Sequence, residues 1–270
     1  MQDLVDMPHH VACAIDVVLL DIDDTLTSNG RLAGGAFQTL EDLHNAGLFI
    51  VPVTGRPAGW CDLIARQWPV HGVVGENGAF YYSYNSEARS MNRVYALDEA
   101  DRTANQQAYA KLAEKILNEV PGCAVSADQP FRVADLAIDF CEDVSPLGRE
   151  DILKIKAIFE QAGANAKISS IHVNGWFGRY DKLTMTRRLL RDLKGIDIDL
   201  EQSKIVFCGD SPNDAPMFAH FPNACGVANI RDYASEIDIL PTYVTRQRGG
   251  EGFAELGKYL LQSRAKGGTN

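Results

Sequence analysis

Val17-Val18-Leu19-Leu20-Asp21-Ile22-Asp23-Asp24-Thr25 is the stretch on which the reading of this chain turns. Four consecutive apolar residues fit a strand buried on both faces, as in parallel sheets covered by helices. That strand, read as Ala14 to Leu20, ends in the acidic cluster Asp21, Asp23 and Asp24. Alternation along an extended chain puts Asp21 and Asp23 on one side. Two carboxylates so close repel unless a cation lies between them or one is protonated. Either state is useful in catalysis, although a lone pair of aspartates is more often a helix cap or a turn.

Outward from this stretch, short apolar runs alternate with helical segments. Phe37 to Ala46 reads as a helix closed by Gly47, and Leu48 to Val53 as a second buried strand. Ala58 to Gln67 reads as a helix, and Val70 to Val74 as a third strand before the Gly75 to Gly78 turn. This order predicts βαβ units and a parallel sheet. The middle has another rhythm. Ala79 to Tyr84 and Arg93 to Tyr95 read as a hairpin. Tyr109, Leu112, Ile116 and Val120 keep helical spacing, as do Ile152, Ile155, Ile158 and Phe159. Leu136, Ile138 and Phe140 alternate with Asp135, Ala137 and Asp139, and Ile171 and Val173 with His172 and Asn174, the pattern of half-exposed strands. The expectation is an antiparallel sheet covered on one face, inserted into the parallel unit. After residue 180 the first rhythm returns: a helix over Leu183 to Leu193, strands at Lys204 to Cys208, Ala224 to Val227 and Thr242 to Thr245, and a helix from Gly252 to Ser263. Ala265 to Asn270 read as a frayed end.

Composition narrows the possibilities. The 270 residues are 46% hydrophobic and 23% charged, an ordinary globular balance, and the net charge of -10 argues against a nucleic-acid or anionic membrane surface. It leaves a phosphate ligand open, since a metal and a few cations reverse the local field. Cys13, Cys61, Cys123, Cys141, Cys208 and Cys225 form no CxxC pair, so the reading is free thiols in a reducing cytoplasm. Val17 to Leu20 is far too short to cross a membrane, and no basic segment precedes it.

Three further polar signals stand at or near strand ends, the edge where open α/β sheets bind ligands. Thr54-Gly55-Arg56 offers a hydroxyl, a flexible glycine and a guanidinium, a small anion cradle. Lys182 is a cation beside Asp181. Gly209-Asp210-Ser211-Pro212-Asn213-Asp214 supplies two carboxylates and an amide, the hard oxygen donors that Mg²⁺ prefers. Each alone is an ordinary loop, cap or surface residue.

Together, in this order, the four resemble the motifs of the haloacid dehalogenase-like phosphohydrolase superfamily over about residues 12 to 262. The place of the insert, between Thr54 and Lys182, resembles members with the C2-type (subclass B) cap. Gly75-Glu76-Asn77-Gly78-Ala79, Tyr243-Val244-Thr245 and Gly250-Glu251-Gly252 resemble Cof-type and sugar phosphatases. Many such relatives carry glycine where this chain has Asp24. The resemblance implies an α/β fold: a Rossmann-like parallel sheet core, residues 1–84 and 179–270, with an α+β cap over 85–178. It implies Asp21 as nucleophile, Asp23 as acid and then base, and Thr54 and Lys182 on the phosphoryl oxygens. Asp21, Asp23 (through its carbonyl), Asp210 and Asp214 are implied around Mg²⁺. Gly55, Arg56 and Asn213 are read as further substrate contacts.

The expected partner is a small phosphorylated metabolite, a sugar phosphate above all, met by a monomer or weak homodimer. His172 and Asn174, on one face of a strand that leads to Lys182, are candidates to read the sugar. Trp176 and Phe177 either cover a sugar face or pack the cap on the core. A receiver domain would place its lysine after the acidic residues and the threonine, and a P-type ATPase needs membrane spans. A phosphomutase would use the same aspartate, and no sequence feature excludes it. A silent sugar-phosphate sensor fits poorly with Asp21, Asp23, Lys182 and Asp210 all in place.

Overall fold

The computed structural model describes residues 1–267. In chain order the elements are β1 (Gln2–Asp3), α1 (His9–Ala14), β2 (Val17–Leu20), α2 (Gly34–Asn45), β3 (Phe49–Pro52), α3 (Ala58–Gln67) and β4 (Val73–Gly75). The hairpin β5 (Phe80–Asn85) and β6 (Ser90–Tyr95) leads into α4 (Glu99–Glu119), β7 (Ala124–Val125), β8 (Leu136–Asp139), α5 (Arg149–Gln161), β9 (Asn165–Ile168) and β10 (His172–Trp176). Then come α6 (Lys182–Lys194), β11 (Ile205–Gly209), α7 (Ala215–His220), β12 (Cys225–Gly226), β13 (Tyr243–Val244) and α8 (Gly249–Gly267).

The core sheet runs β1-β13-β12-β11-β2-β3, with every pairing parallel. Apart from the exposed edge strand β1, its strands are largely buried, and the alternation along β2 decides which layer each residue joins. Val18 and Leu20 pack with Leu40, Leu43, Phe253 and Leu256 of α2 and α8. Val17 and Leu19 pack with Met185, Leu189 and Phe218 of α6 and α7. The sheet is therefore covered by helices on both sides, and its carboxyl edge is left for polar chemistry. The strand reading Ala14 to Leu20 is shortened at its start, because α1 takes Ala14 and packs against α8. The helix α8 runs on to Gly267, so Ala265 to Gly267 are helical where a frayed end was read, and 268–270 lie outside the described residues.

The middle of the chain forms an antiparallel sheet, β7-β8-β10-β9. One face carries Leu136, Ile138 and Val173 against Tyr109, Leu112 and Ile116 of α4 and Ile155 and Phe159 of α5. The strands are not half-exposed as the alternation implied. Ala137, Asp139, His172 and Asn174 are all at most 3% exposed. Their polar face is turned onto the core, so polar character here marks a buried polar layer and not solvent. The hairpin was expected and forms, and it pairs through β5 with β4, which lies parallel to the end of β3. Trp176 is buried against Tyr180, and Phe177 stacks on Tyr109, so both rings serve packing. Among the described residues no helix is long and apolar enough to cross a membrane.

Two glycines are fixed by contact. Gly78, at φ +104°, brings the turn after β4 onto the backbone of Asp181, where a Cβ would lie 2.0 Å from the carbonyl oxygen. Gly175 in β10 lies under the ring of Phe159, 2.1 Å from where its Cβ would be. Gly175→Ala is expected to push Phe159 off its site and destabilise the protein by about 1–3 kcal/mol. A thermal unfolding curve identical to wild type would show that the cap has slack here.

Candidate active site

Four of the parallel strands deliver polar groups at the carboxyl edge. β2 delivers Asp21 and Asp23, β3 delivers Thr54 and Arg56, and β11 delivers Asp210 and Asp214. β12 delivers Asn229, and Lys182 enters at the first turn of α6. A lysine at a helix start faces the wrong end of the dipole. The neighbouring carboxylates outweigh that. Lys182 Nζ donates to Asp21 Oδ1 at 3.0 Å and to Asp214 Oδ1 at 2.8 Å, with all three residues buried. Burial works against the ammonium, yet Asp21 and Asp214 raise its pKa above the ordinary lysine value.

The acids are less comfortable. Burial, opposed by Lys182, pushes the Asp21 carboxyl up to about 7. Burial, with Asp214 and Asp21 beside it, pushes Asp210 well above the carboxylate range. Asp210 is pinned by the Thr25 hydroxyl at 3.1 Å and the Asn229 amide at 3.2 Å. Asp214 accepts from the Asp210 N–H at 3.1 Å. One carboxylate oxygen from each of Asp21, Asp210 and Asp214 falls within 4.8 Å of the others. Buried oxygen donors held so close with a single lysine between them are short of positive charge. The donor set and its burial fit a hard divalent cation.

Asp24 has a φ of +54°, a left-handed backbone that aspartate is among the few side chains to tolerate. Its N–H donates to Thr27, whose hydroxyl donates to the Ile22 carbonyl, which closes the turn beneath the site.

Arg56 does not point its guanidinium at open space. Nε lies 2.9 Å from both Asp23 oxygens, and Nη2 lies 2.8 Å from Asp23 Oδ1. The other edge reaches the cap: Nη2 donates to Glu142 at 2.8 Å, and Nη1 lies 3.6 Å from Asp128. The plane stacks on Trp60 at 4.4 Å. Glu142 is held by His172 Nε2 at 3.0 Å, and by that bond and Arg56 its carboxyl is lowered to about 2. Ser126 continues the chain from His172 to Asp128. Arg132 binds Asp128 and Asp135 and donates to the Gly55 carbonyl of the core at 2.9 Å. Asn174 donates to Asp135 at 3.0 Å.

The structure thus gathers Asp21, Asp23, Gly55, Arg56, His172, Asn174 and Asn213 around one small cavity. Thr54 is buried beside it, its hydroxyl accepting from the Arg56 N–H at 3.0 Å. Behind Asp21, outside the cavity lining, lie Lys182, Asp210 and Asp214. Sequence reading missed Asn229, Glu142, Arg132, Asp128 and Asp135. Asn229 could have been found, because it follows the strand read at Ala224 to Val227. The cap acids sit in loops whose approach to the core no periodicity encodes.

Residues 18–113 match the family model of haloacid dehalogenase-like hydrolases. No curated protein matches the sequence. Solved structures share the haloacid dehalogenase-like fold over nearly the whole chain. A protein of Thermoplasma acidophilum is 19% identical, covers 92% of this chain and 98% of its own, and has a TM-score of 0.69. A HAD/COF-like hydrolase of Plasmodium vivax is 17% identical, with coverage of 94% and 99% and a TM-score of 0.67. The HAD subclass IIB sugar phosphatase BT4131 is 15% identical, with coverage of 93% and 99% and a TM-score of 0.60.

Lys182→Met tests the central ion cluster without any assay of activity. It removes the cation between two buried carboxylates, at a cost of about 3–5 kcal/mol. Urea unfolding within about 1 kcal/mol of wild type would mean that Asp21 and Asp214 need no cation to stay buried.

Proposed function

We propose that this protein is a Mg²⁺-dependent phosphatase that hydrolyses a small phosphate monoester, a sugar phosphate, through an aspartyl phosphate on Asp21. The observation that carries the reading is the Asp21 carboxylate, fixed by Lys182 beside Asp210 and Asp214, with Asp23 two residues on. The likeness in fold to a subclass IIB sugar phosphatase supports it. In this reading residues 85–178 form the cap over a core of residues 1–84 and 179–270.

Asp21 attacks phosphorus, and the bond to the leaving oxygen breaks as Asp23 hands that oxygen a proton. Water then attacks the aspartyl phosphate, Asp23 takes its proton, and Asp21 is returned with inorganic phosphate. Lys182 and the Thr54 hydroxyl face the charge on the transferring group, and the Asn213 amide lines the same cavity. Asp21, Asp210 and the Asp23 carbonyl would hold Mg²⁺, with Asp214 beside them, and the ion would supply the positive charge that lets a dianion approach a carboxylate. The apolar strands that carry these groups keep them in place before substrate arrives.

Asp21→Asn should fold and melt like wild type yet lose at least about a thousandfold in kcat, because an amide forms no acyl phosphate. Phosphate release at more than a few per cent of the wild-type rate would remove Asp21 from the nucleophile's role.

Chelation by EDTA should stop phosphate release from a panel of sugar and polyol phosphates, and added Mg²⁺ should restore it. Ca²⁺ should inhibit, since its looser coordination misplaces Asp21 for in-line attack. Full activity in excess EDTA would rule out the metal.

A further inference from the structure

The proposed reaction needs a place for the leaving group, and the cavity that holds Asp21 does not supply one. Its free volume is about 10 Å³, barely room for one water. His172 and Asn174 line it, but both are already engaged. Asn174 gives its amide to Asp135, and His172 Nε2 lies against Glu142 and Ser126.

A second cavity of about 290 Å³ shares Asp23, Arg56, Ser170 and Ile171 with the first, but not Asp21. Asp23 lining both is the arrangement required of a group that protonates the oxygen between phosphorus and the leaving group. The core side of this cavity is the turn from Thr27 to Gly30, and the cap side is Cys141, Glu142 and Ser170. Ser170 lines both cavities, and among the described residues its buried hydroxyl has no hydrogen-bond partner. A buried hydroxyl left unpaired is costly, and a ligand hydroxyl would satisfy it.

The charge of the cavity is one-sided. Asp23, Asp24 and Glu142 line it, and its one cation, Arg56, is already paired with Asp23 and Glu142. A second anionic group on the substrate would meet carboxylates with no free partner. The volume is at the lower end of small-molecule sites, which run from about 300 to 1,000 Å³.

Resting on the phosphatase reading above, we propose that this cavity is the leaving-group subsite. It takes a small uncharged polyol, with a hydroxyl on Ser170 Oγ, and rejects leaving groups that carry a second phosphate or a carboxylate.

The test uses three substrates with the full-length protein: glycerol 3-phosphate, 3-phosphoglycerate of nearly the same size, and acetyl phosphate, whose leaving group barely enters the cavity. Wild type should prefer the neutral polyol over the acid by about tenfold or more in kcat/KM. Glu142→Gln should shrink that ratio at least about threefold, and a general loss from disturbing Arg56 cancels in the ratio. Ser170→Leu fills the cavity and should lower kcat/KM for glycerol 3-phosphate by about tenfold. Because Ser170 also borders the inner cavity, the readout is the loss on glycerol 3-phosphate relative to that on acetyl phosphate, which should exceed about threefold, and a thermal unfolding curve reports that the variant is folded. Equal losses on both substrates in Ser170→Leu, or no preference for the polyol in wild type, would overturn the subsite and leave the phosphatase standing. Phosphate release from none of the three by wild type would overturn both.

Discussion

Everything at the carboxyl edge of this sheet follows from crowding carboxylates where water cannot screen them. Asp21, Asp210 and Asp214 come from two adjacent parallel strands, and the register of β2 with β11 leaves them no room to separate. Burial pushes the carboxyls of Asp21 and Asp210 upward. Lys182 is the fixed counter-charge. Its position at the head of α6 is set by Gly78, whose missing side chain lets the turn after β4 lie on the backbone before it. The chemistry of the site is thus tied to a contact that carries no chemistry of its own.

The same shortage of positive charge governs the cap. Arg56 serves Asp23 in the core and Glu142 in the cap with its two edges, and Arg132 reaches from cap acids to the Gly55 carbonyl. Glu76 adds a third tie. Buried completely, it accepts from Ala58 of α3 and from Val133 and Ala134 of the cap. Core and cap are therefore joined by groups that are satisfied only when the two are together. Such bonds add little net stability but cost much when half-broken, which makes the closed arrangement well defined.

The core was legible because buried strands are written as unbroken apolar runs, and Val17 to Leu20 could be little else. The candidate site was legible because the rule that ligands bind past strand ends turns a strand reading into a site reading. It brought Asp21, Thr54 and Asp210 to one edge without any contact being known. The cap was legible only in outline. Alternation at Leu136 to Phe140 and at His172 and Asn174 gave the right faces, but alternation does not say whether the polar face meets water or another polar layer. The roles of Glu142 and Ser170 depend on where loops land, and loop residues carry no period to read.

A net charge of -10 and an anionic ligand sit together without conflict because the field that matters is local. At the inner cavity the cations Lys182, Arg56 and Arg132 are each paired with carboxylates. A phosphoryl group larger than the space beside Asp21 can enter only if the cap yields, and yielding breaks the bonds of Arg56 to Glu142 and of Arg132 to Gly55. Opening then frees one edge of Arg56 while Asp23 keeps the other. On the phosphatase reading proposed above, the bonds that close the cap would be the ones whose release supplies positive charge to an arriving anion, so that one set of side chains would govern both access to the site and attraction into it.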